Sequence, residues 1–268
     1  MRAPLWGIDR IRVAMLGVVL AGALAGSAPH PAATQEAASE KAVFRVVAFH
    51  QEGEEWRPVS SGTGFFTDKD GTGLTNAHVV YPVSRHPQRY RLLVTLDGVF
   101  FSADVMCATH LTHDPMGPQP ARARIERDIA RIRVTAPDIP FGQWVMRPPG
   151  GEPIVIARRH EGPLPEFATL ALGGLPRSGE SVRVLGFGNI SAVPRRWSTE
   201  GTVGDHMTGD DGVRTFSMRF TLPPLPGNSG SPVLNTRGQV AGLFTWYFDL
   251  DRTMGLAIAG PELRRPCR

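Results

Sequence analysis

Short apolar runs, each closed by glycine or proline, set the limits on what this chain can fold into. Residues 42–49, 90–96, 99–105, 182–186, 201–203, 214–220, 239–246 and 255–259 are rich in β-branched and aromatic side chains and read as strands. Asp97-Gly98 splits one alternating stretch into a two-residue hairpin. The 30 glycines and 24 prolines among 268 residues supply the breaks, and only 20% of the residues are charged. That balance favours many short strands over long helices and predicts an all-β sandwich or barrel. A 41% hydrophobic content fills one domain of about 200–250 residues or two smaller lobes. Residues 136–166, broken repeatedly by proline and glycine, mark the linker between a first lobe over 41–135 and a second over 167–268. Residues 107–124 read as a loop, 125–134 as a strand with Ile129 and Ile132 buried, and 261–265 as a short terminal helix. There is no internal repeat and no heptad run.

The first residues stand apart. Arg2, Arg10 and Arg12 precede an apolar run over 13–25 that leads into Gly26-Ser27-Ala28, the order of an export signal. The run is short for a membrane span. Ala23-Leu24-Ala25 offers a cleavage site, so residues 1–25 are the expected signal peptide. Cleavage as late as residue 33 also fits, and an uncleaved anchor is the alternative. Residues 26–40, rich in Ala, Ser and Glu, then form a disordered lead. The expectation is an exported chain, periplasmic or secreted, with no stable membrane span after cleavage. In that setting Cys107 and Cys267 suggest a disulfide tying the C-terminus to the middle of the chain. Two free thiols are the other reading. The net charge of +4 falls once the signal is removed, and the basic residues are scattered arginines apart from Lys41 and Lys69. No basic block is interleaved with aromatics, so no nucleic-acid partner is expected.

Pro226-Gly227-Asn228-Ser229-Gly230-Ser231-Pro232 bends sharply and presents a hydroxyl at a surface. Alone it is equally an ordinary tight turn. A serine becomes a useful nucleophile only with a base in hydrogen-bond reach and a third group to fix the base. His78 lies in Leu74-Thr75-Asn76-Ala77-His78-Val79-Val80, among small and apolar residues at a strand end. Asp128 enters an apolar alternating strand in Glu126-Arg127-Asp128-Ile129-Ala130. The bland alternatives are a core histidine and a surface acid paired with Arg127 or Arg131. His110 and His113, beside Asp114, lack a second ligand cluster and read as solvated loop residues, so no metal is expected, nor any cofactor.

Taken together, TNAHVV, RDIARI and PGNSGSPV resemble the histidine, aspartate and serine boxes of the trypsin-like serine protease superfamily, in that superfamily's chain order. Ser61-Gly62-Thr63-Gly64-Phe65 resembles the strand before the histidine box in bacterial members, namely Deg/HtrA-type and glutamyl endopeptidase-like enzymes. Rival triads fail on order. No histidine follows His206, as an α/β-hydrolase requires, and a subtilisin-like order would need Asp68 or Asp70 on a helix-rich fold. The resemblance implies two six-stranded antiparallel Greek-key β-barrels of the chymotrypsin type with the active site between them. It implies Ser229 as nucleophile, His78 as base, Asp128 as its partner, and the backbone N–H groups of Gly227 and Ser229 as the oxyanion hole. A polypeptide substrate would pair as an extra strand along Thr245-Trp246-Tyr247.

The departures from the pattern carry information too. Asn228 stands where animal digestive members carry the aspartate that captures a new N-terminus, which implies activity without such cleavage. Pro223 stands at the expected floor of the specificity pocket and offers no carboxylate for Lys or Arg. Phe244 stands where glutamyl endopeptidases carry a histidine. Tyr247 replaces a pocket glycine and narrows the site, with Gly255 on the far wall. The expected preference is for small or medium apolar residues before the cut bond. No PDZ domain is expected after the last strand. A non-catalytic binding module on the same scaffold, and an esterase, are the alternatives.

Overall fold

The computed structural model describes residues 31–53, 55–115, 125–147, 150–188, 195–248 and 251–267. The expected signal peptide over 1–25 lies outside them. Strands β1 (Val43–Glu52), β2 (Glu55–Phe66), β3 (Thr72–Thr75), β4 (Tyr90–Leu96), β5 (Val99–Ala108) and β6 (Ala130–Thr135) pair in the order β4-β1-β2-β3-β6-β5, and a β4–β5 pairing closes the ring. A second closed barrel runs β10-β11-β14-β13-β12-β9. Its strands are β9 (Ser181–Gly188), β10 (Arg195–Thr208), β11 (Arg214–Phe220), β12 (Pro232–Asn235), β13 (Val240–Phe248) and β14 (Asp251–Ala259). The expected pair of six-stranded antiparallel barrels is therefore present.

Local chemistry explains the turns and the alternation. Asp97 and Gly98 both take positive φ, 48° and 78°, as a hairpin turn that follows strand twist requires. Strand β6 alternates, with Ile132 and Val134 inward and Arg131 and Arg133 outward. Phe44, Phe66, Leu92, Val94, Phe101 and Ile132 fill the first barrel. Val184, Phe216, Met218, Phe220, Val233 and Phe244 fill the second. A third cluster joins Val43, Phe65, Leu74 and Ile129 of the first lobe to Leu185, Leu234, Leu243 and Ile258 of the second. Each such side chain contributes about 1.5–3 kcal/mol on burial, so the seam holds the two barrels in register.

Residues 136–166 are not a bare linker. They carry β7 (Gln143–Met146) and β8 (Ile154–Arg159), and β8 pairs in parallel with β5. The apolar residues there outweigh the proline and glycine between them. Trp144 packs edge-on to Phe49 at 5.2 Å and joins Val47, Leu93, Phe100, Ile139 and Ala157 in one cluster. The first sheet thus runs to Arg159, and the chain crosses between barrels after it.

Two further expectations give way. The described part of the lead expected to be disordered carries helix α1 (Pro31–Lys41). Ala, Gln, Glu and Lys are good helix formers, and Pro31 opens the helix where a missing N–H is harmless. Glu36 of this helix pairs with Arg183 of β9. His78 lies not at a strand end but at the second position of helix α2 (Ala77–Arg85). A terminal 3-10 helix spans Gly260–Arg264, and Cys107 is bonded to Cys267 beyond it. Among the described residues, no helix is long and apolar enough to cross a membrane.

Candidate active site

Strand β3 ends at Thr75, and Asn76 turns the chain into α2 with an extended backbone. Its side chain does not cap the helix. The Asn76 amide donates instead to the Asp128 carbonyl at 2.7 Å and to the Thr245 hydroxyl at 3.1 Å. His78 follows within the first turn. Both carboxylate oxygens of Asp128 are committed to it. Oδ1 accepts the His78 backbone N–H at 2.9 Å, and Oδ2 lies 2.5 Å from Nδ1. The Asp128 side chain is 1% exposed and that of His78 27%. Burial disfavours the imidazolium, but the charge of Asp128 and its hydrogen bond outweigh that, and the His78 pKa is raised above the ordinary histidine value.

Ser229 comes from the other barrel, on the turn between β11 and β12. Gly227 and Gly230 take φ of 97° and 86°, which bends the chain on both sides of the serine. Strand β2 grips this turn. Thr63 N–H donates to the Ser229 carbonyl at 2.8 Å, and the Thr63 hydroxyl donates to the Gly227 carbonyl at 2.8 Å. Gly230 N–H donates to the Phe244 carbonyl at 2.9 Å. The backbone N–H groups of Gly227 and Ser229 make no hydrogen bond among the described residues, so two donors stay open beside the hydroxyl. The Ser229 hydroxyl donates to the Thr245 carbonyl at a long 3.5 Å. Among the described residues it makes no hydrogen bond to His78. Asn228 is fully buried, and neither Oδ1 nor Nδ2 has a partner among the described residues.

Strand β13 forms the wall between these groups. Its pairing with β12 runs no further than Leu243, and the serine turn takes both backbone groups of Phe244, so the edge is open only from Thr245 onward. Thr245 is buried there. The Trp246 ring sits 6.3 Å from the His78 ring and 6.4 Å from that of His113. Tyr247 pairs with Gly255 across β13 and β14, and its side chain lies outside the described residues. Gly255 is buried, and a side chain there would meet the Phe220 and Phe244 rings at 2.7 Å. Pro223, expected at a pocket floor, is exposed in the β11–β12 loop.

Sequence reasoning missed Thr63 and Asn76, whose roles depend on partners far along the chain. It also set aside His113 as a solvated loop histidine. The structure holds His113 at 19% side-chain exposure, with Nδ1 3.1 Å from the buried Glu126 carboxylate. His110 lies 3.1 Å from the Arg85 guanidinium.

Comparison with known proteins places this geometry in a family. The model of the trypsin-like peptidase domain matches residues 62–243. A putative serine protease HhoB of Synechocystis is 30% identical over 193 residues, 70% of this chain and 35% of that protein. Serine protease HTRA1 of Xenopus laevis is 27% identical over 82% of this chain and 37% of its own length. The chain thus spans little over a third of the curated relatives it matches. In fold, it resembles the active form of the Rv3671c protease from M. tuberculosis, with TM-score 0.55 and 19% identity over 98% of this chain and 92% of that one. It also resembles Deg5, with TM-score 0.56 and 16% identity over 87% and 90%. Its boxes, its two barrels and the matched stretch agree: this chain belongs to the trypsin-like peptidase domain family.

Proposed function

We propose that this chain is a serine endopeptidase in which Ser229, His78 and Asp128 form the catalytic triad. The observation that carries this is the commitment of both Asp128 oxygens to His78, at 2.9 and 2.5 Å. A carboxylate fixed on Nδ1 leaves Nε2 unprotonated and available as a base. The Ser229 hydroxyl leaves its long contact with Thr245 and donates to Nε2, since catalytic hydrogen bonds of this kind tighten with substrate in place. Oγ then attacks the carbonyl carbon while its proton passes to His78. The oxyanion is held by the open N–H groups of Gly227 and Ser229, each worth roughly 3 kcal/mol in the transition state. Collapse breaks the C–N bond, and His78 returns the proton to the departing amine. Water repeats the sequence on the acyl-enzyme and frees Ser229.

The preferred residue before the cut bond is small or medium and apolar. Support comes from Gly255, whose open face is filled by the Phe220 and Phe244 rings. The burial of uncharged Asn228, with no ion pair, supports activity without capture of a new N-terminus. The basic and apolar order of residues 1–25 supports export to the periplasm or the medium. The experiment is labelling with a fluorophosphonate, followed by peptide turnover. Labelling and hydrolysis are both expected, and both are lost in Ser229→Ala. Labelling that persists in Ser229→Ala would overturn the assignment, and ester turnover without peptide turnover would favour an esterase.

A further inference from the structure

A second imidazole–carboxylate pair faces the same wall as the first. His113 and His78 both lie near the Trp246 indole, at 6.4 and 6.3 Å, each tilted by about a third of a right angle, 32° and 33°. Behind His113 lies Glu126, its side chain 6% exposed. The Glu126 Oε2 accepts both the Thr112 N–H at 3.1 Å and the Thr112 hydroxyl at 2.8 Å. Among the described residues Oε1 has no hydrogen bond, and the His113 Nδ1 faces it at 3.1 Å, off the line of a hydrogen bond. Arg127, between Glu126 and Asp128, is turned away onto Glu262 at 2.6 Å.

We infer that His113, Glu126 and Trp246 form a subsite that takes a cationic side chain of the substrate, lysine or arginine, upstream of the cut bond. This rests on the peptidase reading above. Off the line of a hydrogen bond, the Glu126 carboxylate still favours the ring proton on the nearer Nδ1 by its charge, which leaves Nε2, on the opposite side of the ring, as an acceptor. The neighbouring indole face attracts a cation. Glu126 and Asp128 are both buried carboxylates, and Arg127 between them pairs with Glu262 instead. The edge of β13 from Thr245 onward brings a paired substrate strand past Trp246, so one of its side chains meets these groups.

The test is positional scanning with fluorogenic peptides, read as kcat/KM at each position upstream of the cut bond. At one position, Lys and Arg should exceed Ala by roughly tenfold, a gain typical of a partly desolvated cation–π contact with one hydrogen bond. That ratio should fall to about one in His113→Phe, which keeps a ring beside Trp246, and should shrink in Glu126→Gln, which frees the tautomer. A flat profile, a preference for Asp or Glu, or a ratio unchanged in both variants overturns the subsite. The same peptides are titrated onto Ser229→Ala by fluorescence polarisation. Discrimination by binding through His113 without any hydrolysis by the parent chain would keep the subsite and sink the peptidase reading. Absence of discrimination in both assays would sink the subsite alone if Ala peptides are still cut.

Discussion

Asn76 and Thr245 join the two barrels by one buried hydrogen bond of 3.1 Å. The same amide holds the Asp128 carbonyl at 2.7 Å, so one side chain ties the acid, the helix that carries His78 and the strand beside Ser229. Asn76→Ala leaves a buried carbonyl and a buried hydroxyl short of a donor. The expected loss is roughly 1–3 kcal/mol of stability, read from urea unfolding, with a fall in kcat larger than any rise in KM. An Asn76→Ala chain with parental kcat would show that the Asp128 backbone needs no such anchor.

The His78–Asp128 pair makes opposite demands on pH. The raised His78 pKa means that this pair stabilises the fold fully below the ordinary value of 6.5 and loses that contribution as pH climbs through the raised pKa. Catalysis needs the neutral base, so kcat/KM should rise with pH through a limb above 6.5. Asp128→Asn should move that limb to lower pH and cut kcat by roughly ten-thousandfold, because the tautomer is no longer held. A limb that stays in place in Asp128→Asn would show that another group titrates.

What could be seen in the sequence was set by local chemistry. Asp97-Gly98 announced its turn because positive φ at both positions restricts the residue types, and the structure gives 48° and 78°. Ser229, His78 and Asp128 were singled out only together, by the chain order of their three boxes, because each local setting alone also fits a turn, a core histidine or a surface acid. Strands β7 and β8 were not legible. Their proline and glycine neighbours read as linker, and only the cluster around Trp144, drawn from five strands and Ile139, makes them strands. Asn76 and Thr63 were invisible because their partners lie 169 and 164 residues away. His113 looked solvated because its buried side is supplied by Glu126 and Trp246, which no local pattern connects.

The Cys107–Cys267 bond closes a loop across 160 residues, from β5 to the end of the chain. In the chain-entropy account a loop of that length restricts the unfolded state by about 5 kcal/mol. Cys107→Ser with Cys267→Ser should therefore lower the urea midpoint and raise the slope, since the freed unfolded chain exposes more surface, and added reductant should do the same to the parent chain alone. A midpoint equal in all forms would mean that the native state gains nothing from the bond.

Gly186 of β9 faces the underside of the serine turn. A methyl there would stand 2.0 Å from the Ser231 hydroxyl, 2.9 Å from that of Thr63 and 3.0 Å from the Asn228 Oδ1. Gly186→Ala must displace Ser231, two residues from the nucleophile, and should cost about 1–3 kcal/mol of stability. The turn moves with it, so kcat should fall at least tenfold, an effect expected of small misplacements of a reacting group. Ser231 offers a rescue. Its hydroxyl is buried without a hydrogen-bond partner among the described residues, so Ser231→Ala alone should be close to neutral. Combined with Gly186→Ala it removes the 2.0 Å clash and should restore much of the lost activity. Gly142→Ala, with open space around it, serves as the control and should change neither quantity. A double variant no better than Gly186→Ala would mean that Thr63 and Asn228, rather than Ser231, set the height of the turn.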